Sequence, residues 1–213
     1  MSTSETGATR PRKERKDNAD KRRRQILDAT FRSIVANGLA KTTLATVATE
    51  AGLSQGVAVF YFKSKSGLLT EALRDLYEKY EQHWQAAMKQ ADQSPARRLR
   101  AIVQADFDAR VCNPDTLSVW FAFWGEQKST PQYAEITERY DRTRSDAIRE
   151  ICRELSPGEP AKADLAGDWI DTLTDGYWQK LHLYPQSYTR EIAIRRTLQV
   201  LPILFHEVAE SFS

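Results

Sequence analysis

Residues 42–69 read TTLATVATEAGLSQGVAVFYFKSKSGLL, and this stretch decides the fold of the N-terminal part of the chain. The spacing of its apolar residues predicts a short helix that starts at Thr42–Thr43. Gly52 ends that helix, because glycine tolerates the left-handed backbone of a helix terminus. Ser54 is a typical N-cap for a second short helix over residues 55–61. Two helices joined by such a turn predict a helix-turn-helix, whose second helix enters the major groove of DNA. The alternative is an ordinary helix pair within an all-α core.

The chemistry of the second helix favours DNA binding over burial. Its first turn carries small and polar residues instead of a Leu/Ile stripe, and Gln55 can form two hydrogen bonds to the edge of an adenine. Hydroxyl, guanidinium and ammonium groups nearby suit phosphate contacts, which position a protein on the duplex. The sequence therefore predicts a set of DNA-contacting residues. They are Arg23, Arg24, Thr42, Thr43, Ser54, Gln55, Gly56, Val57, Val59, Phe60, Tyr61, Lys63 and Lys65.

This region resembles the DNA-binding signature of the TetR family of transcriptional regulators. The resemblance is carried by Ala51-Gly52-Leu53-Ser54-Gln55-Gly56, then Phe60-Tyr61-Phe62, Lys65 and Leu68-Leu69, and it covers Arg23 to about Leu69. It implies a three-helix DNA-binding domain followed by a larger helical domain that dimerises and binds an effector. Many members carry Tyr and His where this chain has Val59 and Phe60, so Val59 offers only an apolar contact, such as one to a thymine methyl group.

Charge and composition fit a regulator with a basic N-terminal arm. The 213 residues carry a net charge of only +2, but basic residues crowd between Arg10 and Arg24. We expect a basic disordered tail over residues 1–18, a helix-turn-helix domain over 19–64 and an effector-binding and dimerisation domain over 65–213. No segment approaches the roughly 18 apolar residues of a membrane span. The sequence carries no export signal, and Cys112 and Cys152 are isolated, which predicts a cytoplasmic protein with reduced thiols.

The remainder of the chain predicts an all-α fold. Apolar residues recur at helical spacing from Leu69 to Met88, and Ser94-Pro95, Asn113-Pro114 and Pro131 each read as a helix start. The last two predicted helices carry apolar faces wider than a single core contact requires. These faces predict a homodimer, and two recognition helices about 34–36 Å apart would read a palindromic operator. A single intramolecular core is the alternative.

The effector site is predicted from aromatic residues and carboxylates. Trp120 and Trp124 lie one helical turn apart, and indoles beside a carboxylate can hold a quaternary ammonium group by cation–π attraction. Such a stripe is also typical of a hydrophobic core, and that interpretation stays open. The candidate effector-binding residues are Trp84, Asp106, Trp120, Trp124, Tyr133, Asp171, Asp175 and Trp178.

A narrower resemblance concerns the C-terminal part. The runs Ser94–Ile102, Asp106-Phe107-Asp108, Trp120–Trp124 and Asp171–Trp178 resemble the subgroup of TetR-family regulators that repress glycine-betaine synthesis genes and respond to choline. The resemblance implies a repressor that leaves its operator when choline binds. The alternative is a TetR-family regulator of another pathway with a different small apolar or cationic ligand.

An enzyme is the competing class, and the sequence offers little for it. His83, His182 and His206 are scattered without an HExxH motif, and the chain has neither a phosphate-binding glycine loop nor a GxSxG motif. We therefore predict no catalytic residues, no metal site and no cofactor. An architectural DNA-binding protein without an effector is a further alternative, but it would need no aromatic-rich second domain.

Overall fold

The computed structural model describes residues 12–91 and 93–212, and within them the chain forms nine α-helices and a C-terminal 3₁₀ segment. The helices are α1 (Arg12–Lys41), α2 (Leu44–Glu50), α3 (Gln55–Phe62), α4 (Lys65–Gln90), α5 (Pro95–Asp106), α6 (Pro114–Glu126), α7 (Pro131–Leu155), α8 (Pro160–Leu183) and α9 (Arg190–Leu204). The 3₁₀ segment is His206–Phe212. No strand occurs in these described ranges, and the all-α prediction is confirmed.

The chain divides into two compact units, one ending at Ala72 and the other beginning at Leu73. The sequence predicted this boundary at residue 65. It lies further along because the start of α4 belongs to the core of the first unit, where Leu68 is fully buried with Ile26 and Phe62. The long helix α4 therefore contributes residues to both units.

The start of α1 differs from the predicted disordered tail over residues 1–18. Residues 1–11 lie outside the described part of the chain, but α1 begins at Arg12, so residues 12–18 are helical. Their Lys, Arg and Glu residues have good helix propensity, which explains why the helix extends beyond its apolar part. At the other end, Gly38 interrupts the regular helical backbone with φ 74°.

The helix-turn-helix forms within two residues of the predicted boundaries, because α2 starts at Leu44 and α3 ends at Phe62. Thr43 caps α2, where its hydroxyl accepts a hydrogen bond from the Thr46 N–H while the Thr46 hydroxyl accepts one from the Thr43 N–H. Gly52 adopts φ 64° in the turn, the left-handed conformation expected there. Ser54 occupies the N-cap position of α3, but its side chain makes no capping hydrogen bond, which corrects the predicted cap.

The second unit is a bundle in which α7 and α8 pack together, α5 packs on α7 and α9, and α6 packs on α8. The helices α5, α6, α7 and α8 all begin with proline, which is favoured at the first helical position because that N–H has no intrahelical partner. Long aromatic side chains of α4 reach this bundle, since the Tyr77 ring packs against Trp120 and Tyr140.

At the C-terminal end, α9 ends at Leu204, two residues after Pro202, and the 3₁₀ segment follows. Both cysteines are buried and free, and burial raises the pKa of each thiol to about 12. No described helix combines the length and the apolar character that a membrane span requires.

Candidate functional site

The outer face of α3 carries four exposed residues that the fold does not bury: Gln55, Gly56, Val59 and Phe60. Phe60 is 67% exposed and Val59 is 39% exposed. The opposite face of the helix buries Ala58 and Phe62 in the core of the first unit. The outer face of α3 thus presents both polar and apolar groups to solvent, where a recognition helix would contact DNA.

Three predicted DNA contacts lie elsewhere than expected. Thr42 is fully buried, and its hydroxyl donates to the Gly38 carbonyl at 2.9 Å and lies 3.1 Å from the Ser33 hydroxyl. The prediction for Thr42 is therefore corrected, because its hydroxyl is shielded and already bonded. Val57 and Tyr61 are half-buried and pack on the core of the first unit. These two side chains support α3 from beneath, away from its outer face.

The predicted basic contacts have partners within the first unit. Lys63 donates to the Phe60 carbonyl at 2.7 Å, and half-buried Lys65 donates to the Ala40 carbonyl at 2.5 Å. Arg23 pairs with Glu71 of α4, and Arg24 pairs with Asp28 one turn along α1 at 2.9 Å. Exposed ion pairs of this kind contribute only about 0–1 kcal/mol. Arg23 and Arg24 could exchange them for phosphate oxygens at little cost.

A second candidate site is a cavity of about 110 Å³ inside the second unit. It is lined by side chains of four helices: Tyr77 and Tyr80 of α4, Trp120 and Trp124 of α6, Asp141, Arg144 and Ser145 of α7, and Asp171, Asp175 and Trp178 of α8. The structure thus brings together five of the predicted effector residues. Since a water molecule occupies about 30 Å³ in the liquid, the cavity suits a very small ligand.

The inner wall of the cavity is aromatic. The rings of Trp120 and Trp178 have centroids 5.9 Å apart, and Trp124 stacks on Trp178 at 6.4 Å with an interplanar angle of 19°. Tyr80 packs edge-on against Trp178 at 5.4 Å. Three indoles and two phenols therefore meet in one place, which is the composition that holds cations over π faces.

A buried ion-pair network holds this wall. The Arg144 guanidinium pairs with the carboxylates of Asp106 and Asp171. Asp106 is fully buried behind the wall and accepts a hydrogen bond from the Tyr80 hydroxyl at 2.7 Å, while the Trp178 indole N–H donates to its main-chain carbonyl at 2.9 Å. The network joins α4, α5, α7 and α8. Breaking a pair of this kind by removing one partner costs about 3–5 kcal/mol.

The cavity carries more negative than positive charge. Arg144 is its single lining cation, and that cation is shared by Asp106 and Asp171. Asp141 and Asp175 line the mouth, and within the described residues neither forms an ion pair. Burial raises the pKa of Asp141 to about 6 and that of Asp175 to about 7. Neighbouring carboxylates add to both pKa shifts, and the positive charge of Arg144 opposes them.

Trp120 leaves a polar atom unsatisfied beside this cavity. Its ring is 1% exposed, and its indole nitrogen is buried without a hydrogen-bond partner among the described residues. Buried donors are nearly always satisfied, by protein or by a bound molecule. A ligand or water with an acceptor atom fits this position.

Three predicted effector residues do not line the cavity, and of these Asp106 lies behind its wall in the ion-pair network. Trp84 is buried elsewhere in the second unit, and Tyr133 packs edge-on against Phe123 at 5.2 Å. Sequence reasoning missed Tyr77, Tyr80, Asp141, Arg144 and Ser145. The signal on α7 was present as Asp141, Arg144 and Ser145 at spacings of three and four, but the same spacing describes any solvated helix face.

An exposed apolar patch on α8 and α9 is the third feature. Leu165 and Trp169 lie one turn apart on α8 and are 47% and 53% exposed, and Ile203 of α9 is 72% exposed. A groove beside Trp169 is lined mainly by apolar groups, including Leu173 and Val200. Contiguous apolar surface of this kind marks an interaction site.

Comparisons with known proteins bear on both sites. Residues 26–72 match the family model described as bacterial regulatory proteins of the tetR family. Residues 95–205 match the model described as the C-terminal part of BetI-type transcriptional repressors. The HTH-type transcriptional regulator BetI of Paraburkholderia xenovorans is 34% identical over 178 residues, which cover 82% of this chain and 88% of the relative. BetI of Serratia proteamaculans is 34% identical over 182 residues, which cover 83% and 88%.

Solved structures share the fold. A transcriptional regulator from Pseudomonas aeruginosa PAO1 aligns with a TM-score of 0.79 at 22% identity and covers 91% of this chain and 95% of its own. A regulator from Saccharomonospora viridis, crystallised in complex with choline, aligns with a TM-score of 0.75 at 20% identity and covers 85% and 96%.

Proposed function

Because this chain belongs to the TetR family of bacterial transcriptional regulators, with a C-terminal domain of the BetI type, and is therefore a DNA-binding repressor, we propose that choline is its effector. In this proposal a cytoplasmic homodimer binds a palindromic operator of glycine-betaine synthesis genes and leaves it when choline binds. The observation that carries the proposal is the excess of carboxylates in an aromatic cavity. Asp141 and Asp175 remain without a counterion once Arg144 is shared between its two partners.

Choline matches this cavity in charge, in size and in polar groups. Its trimethylammonium group carries one positive charge on an apolar surface, which suits the faces of Trp120, Trp124 and Trp178. Its single hydroxyl oxygen can accept the hydrogen bond that the Trp120 indole N–H lacks. A long acyl chain or a drug with several rings occupies more than the cavity volume of about 110 Å³.

Two comparisons support the ligand class. The relatives at 34% identity carry the name BetI, and the Saccharomonospora viridis regulator with the same fold was crystallised with choline. We expect the gene for this chain to lie beside genes for choline or betaine-aldehyde oxidation, and such neighbours would support the ligand class.

The helix α4 supplies a route from ligand to DNA. Tyr77 and Tyr80 line the cavity, and the same helix begins at Lys65 in the DNA-binding unit. A ligand that moves these tyrosines would shift α4 and change the spacing of the two recognition helices in the dimer. The dimer contact is proposed at the apolar patch that contains Leu165 and Trp169.

Ligand titration followed by tryptophan fluorescence tests the proposal. Choline should change the emission of the cavity indoles and saturate, whereas 3,3-dimethylbutan-1-ol, its neutral carbon isostere, should bind at least tenfold more weakly because it lacks the charge. Asp175→Asn should weaken choline binding, while Asp146→Asn on the exposed side of α7 serves as the matched control. Equal binding of choline and the neutral isostere would contradict the proposed charge recognition.

A further inference from the structure

The outer face of α3 exposes two apolar side chains that contribute little to the folded core. Phe60 is 67% exposed and Val59 is 39% exposed, although α3 is only eight residues long. The helix already has a buried apolar face, formed by Ala58 and Phe62 and supported by Val57. A second apolar face directed to solvent is a feature that the fold does not explain.

The Phe60 ring is held in an outward orientation. The Lys63 ammonium donates to the Phe60 carbonyl at 2.7 Å and lies 5.1 Å from the centroid of the Phe60 ring. Tyr61 packs edge-on against the same ring, with centroids 5.2 Å apart and an interplanar angle of 89°. The ring therefore has a defined position before any partner binds, with a positive charge at its flank.

The surroundings indicate that the partner of this face is DNA. Gln55 and Gly56 share the exposed face with Phe60, and a Cβ at Gly56 would meet only the Ser54 Oγ, at 3.9 Å. Exposed cations near the helix-turn-helix, Lys41 and Lys63, complement phosphates. The apolar group that the major groove offers to a side chain is the C5-methyl group of thymine.

We infer that Phe60, together with Val59, reads thymine C5-methyl groups in the operator. This inference rests on the DNA-binding function and adds an apolar component to a readout that Gln55 supplies through hydrogen bonds. Burial of one methyl group contributes about 0.8 kcal/mol, or roughly a fourfold change in affinity. A symmetric operator with one such methyl in each half-site would therefore lose roughly 16-fold when both methyls are removed.

Uracil substitution tests the inference. The operator is first selected from a randomised duplex library with the wild-type protein. Each thymine of the half-site is then replaced by uracil, which lacks only the methyl group, and binding is measured at fixed salt. For wild type we expect a loss of roughly fourfold per methyl at one or two positions. In Phe60→Ala the penalty should disappear at the position that Phe60 contacts and remain at any position that Val59 contacts. Because Phe60 is exposed, the variant should keep the wild-type circular dichroism spectrum and melting temperature.

Gln55→Ala is the matched control variant on the same face of α3. It should bind the operator more weakly but keep the uracil penalty, because its lost contacts are hydrogen bonds. A 5-methylcytosine·guanine pair at the position that Phe60 contacts should recover part of the affinity that a cytosine·guanine pair loses, for wild type but not for Phe60→Ala.

Three results would overturn the inference. The first is equal affinity of wild type for the thymine and uracil operators at every position, and the second is an unchanged uracil penalty in Phe60→Ala. The third is loss of self-association in Phe60→Ala with the penalty retained, which would assign the ring to a protein contact. Failure of the wild type to select any duplex would instead count against the DNA-binding function itself.

Discussion

At the scale of single residues, the two glycines at either end of the recognition region have opposite roles. A Cβ at Gly67 would lie 2.5 Å from the Phe62 carbonyl oxygen, so the fold itself requires glycine there. At Gly56 a Cβ would meet only an ordinary van der Waals contact, so the fold does not require glycine at this position. In the proposed DNA complex, the absence of a side chain at Gly56 would let the duplex approach the backbone there.

The first prediction uses this contrast. Gly56→Ala should leave thermal stability unchanged or raise it by up to about 1 kcal/mol, because alanine is the better helix former, while operator affinity falls about tenfold or more. Calorimetry and a DNA-binding titration at fixed salt measure the two effects.

Gly67→Ala is the control, since its Cβ clash should destabilise the protein by about 1–3 kcal/mol. If Gly56→Ala bound DNA like the wild type, the groove would not approach this turn.

A second prediction concerns the pH dependence of cation binding. The folded protein raises the pKa of Asp141 to about 6 and of Asp175 to about 7, so both carboxylates lose protons as the pH rises through this range. Cation binding requires the ionised carboxylates, so choline affinity should increase from pH 5.5 to pH 8. Below the pKa of a required carboxylate, the affinity should change roughly tenfold for each pH unit.

Isothermal titration across this range provides the measurement. Asp175→Asn should reduce the increase in choline affinity near pH 7. A choline affinity that falls with rising pH would contradict the proposal that ionised carboxylates bind the cation.

At the scale of elements, the sequence predicted where helices begin better than which faces they bury. Proline at the first position and glycine in the turn act locally, and the starts of α5, α6 and α7 lie at the predicted prolines. Thr42, which lies between α1 and α2, is held by contacts with Ser33 and Gly38 of α1, and the spacing of apolar residues does not reveal those contacts. The cavity residues of α7 were missed for the same reason, because polar residues that face a cavity look like polar residues that face water.

The third prediction concerns the apolar patch of α8 and α9. Trp169→Glu should convert the proposed dimer to a monomer, because it places a charge in each copy of the contact at a cost of ~2 kcal/mol or more per copy. Sedimentation velocity measures the oligomeric state. Arg142→Glu, an equally exposed change on α7, is the control and should leave it unaltered. If the Trp169→Glu protein remained dimeric, the dimer interface would not include this patch.

At the scale of the whole molecule, the chain is nearly neutral, but positive and negative charges concentrate at different candidate sites. The 31 basic and 29 acidic residues give only +2, yet the DNA-binding unit exposes cations beside α3 and the second unit collects four carboxylates, including Asp106, around one arginine. Net charge therefore carried almost no functional information in the sequence. Its distribution indicated DNA at the N-terminus, but the acidic cavity became visible only when four helices came together.

The fourth prediction is a reciprocal coupling between the two ligands. If choline lowers operator affinity by a factor between about 5 and 150, operator DNA must lower choline affinity by the same factor. Fluorescence titrations of choline with and without a saturating operator duplex, in identical salt, provide the comparison. A scrambled duplex controls for nonspecific charge effects. If operator DNA left choline affinity unchanged, choline binding would not be coupled to operator binding, which would contradict the proposed release mechanism.

The two cysteines bear on how the protein withstands oxidative stress. Both thiols are buried, and with pKa values near 12 they hold almost no thiolate at neutral pH, which is the form that peroxide and disulfide reagents attack. Oxidants should therefore leave both thiols unmodified, and under the proposed function the response of the protein would depend on its effector alone. Cys112 and Cys152 should also react little with maleimide dyes, because both are buried. A single new surface cysteine could therefore be labelled selectively to follow the proposed motion of α4.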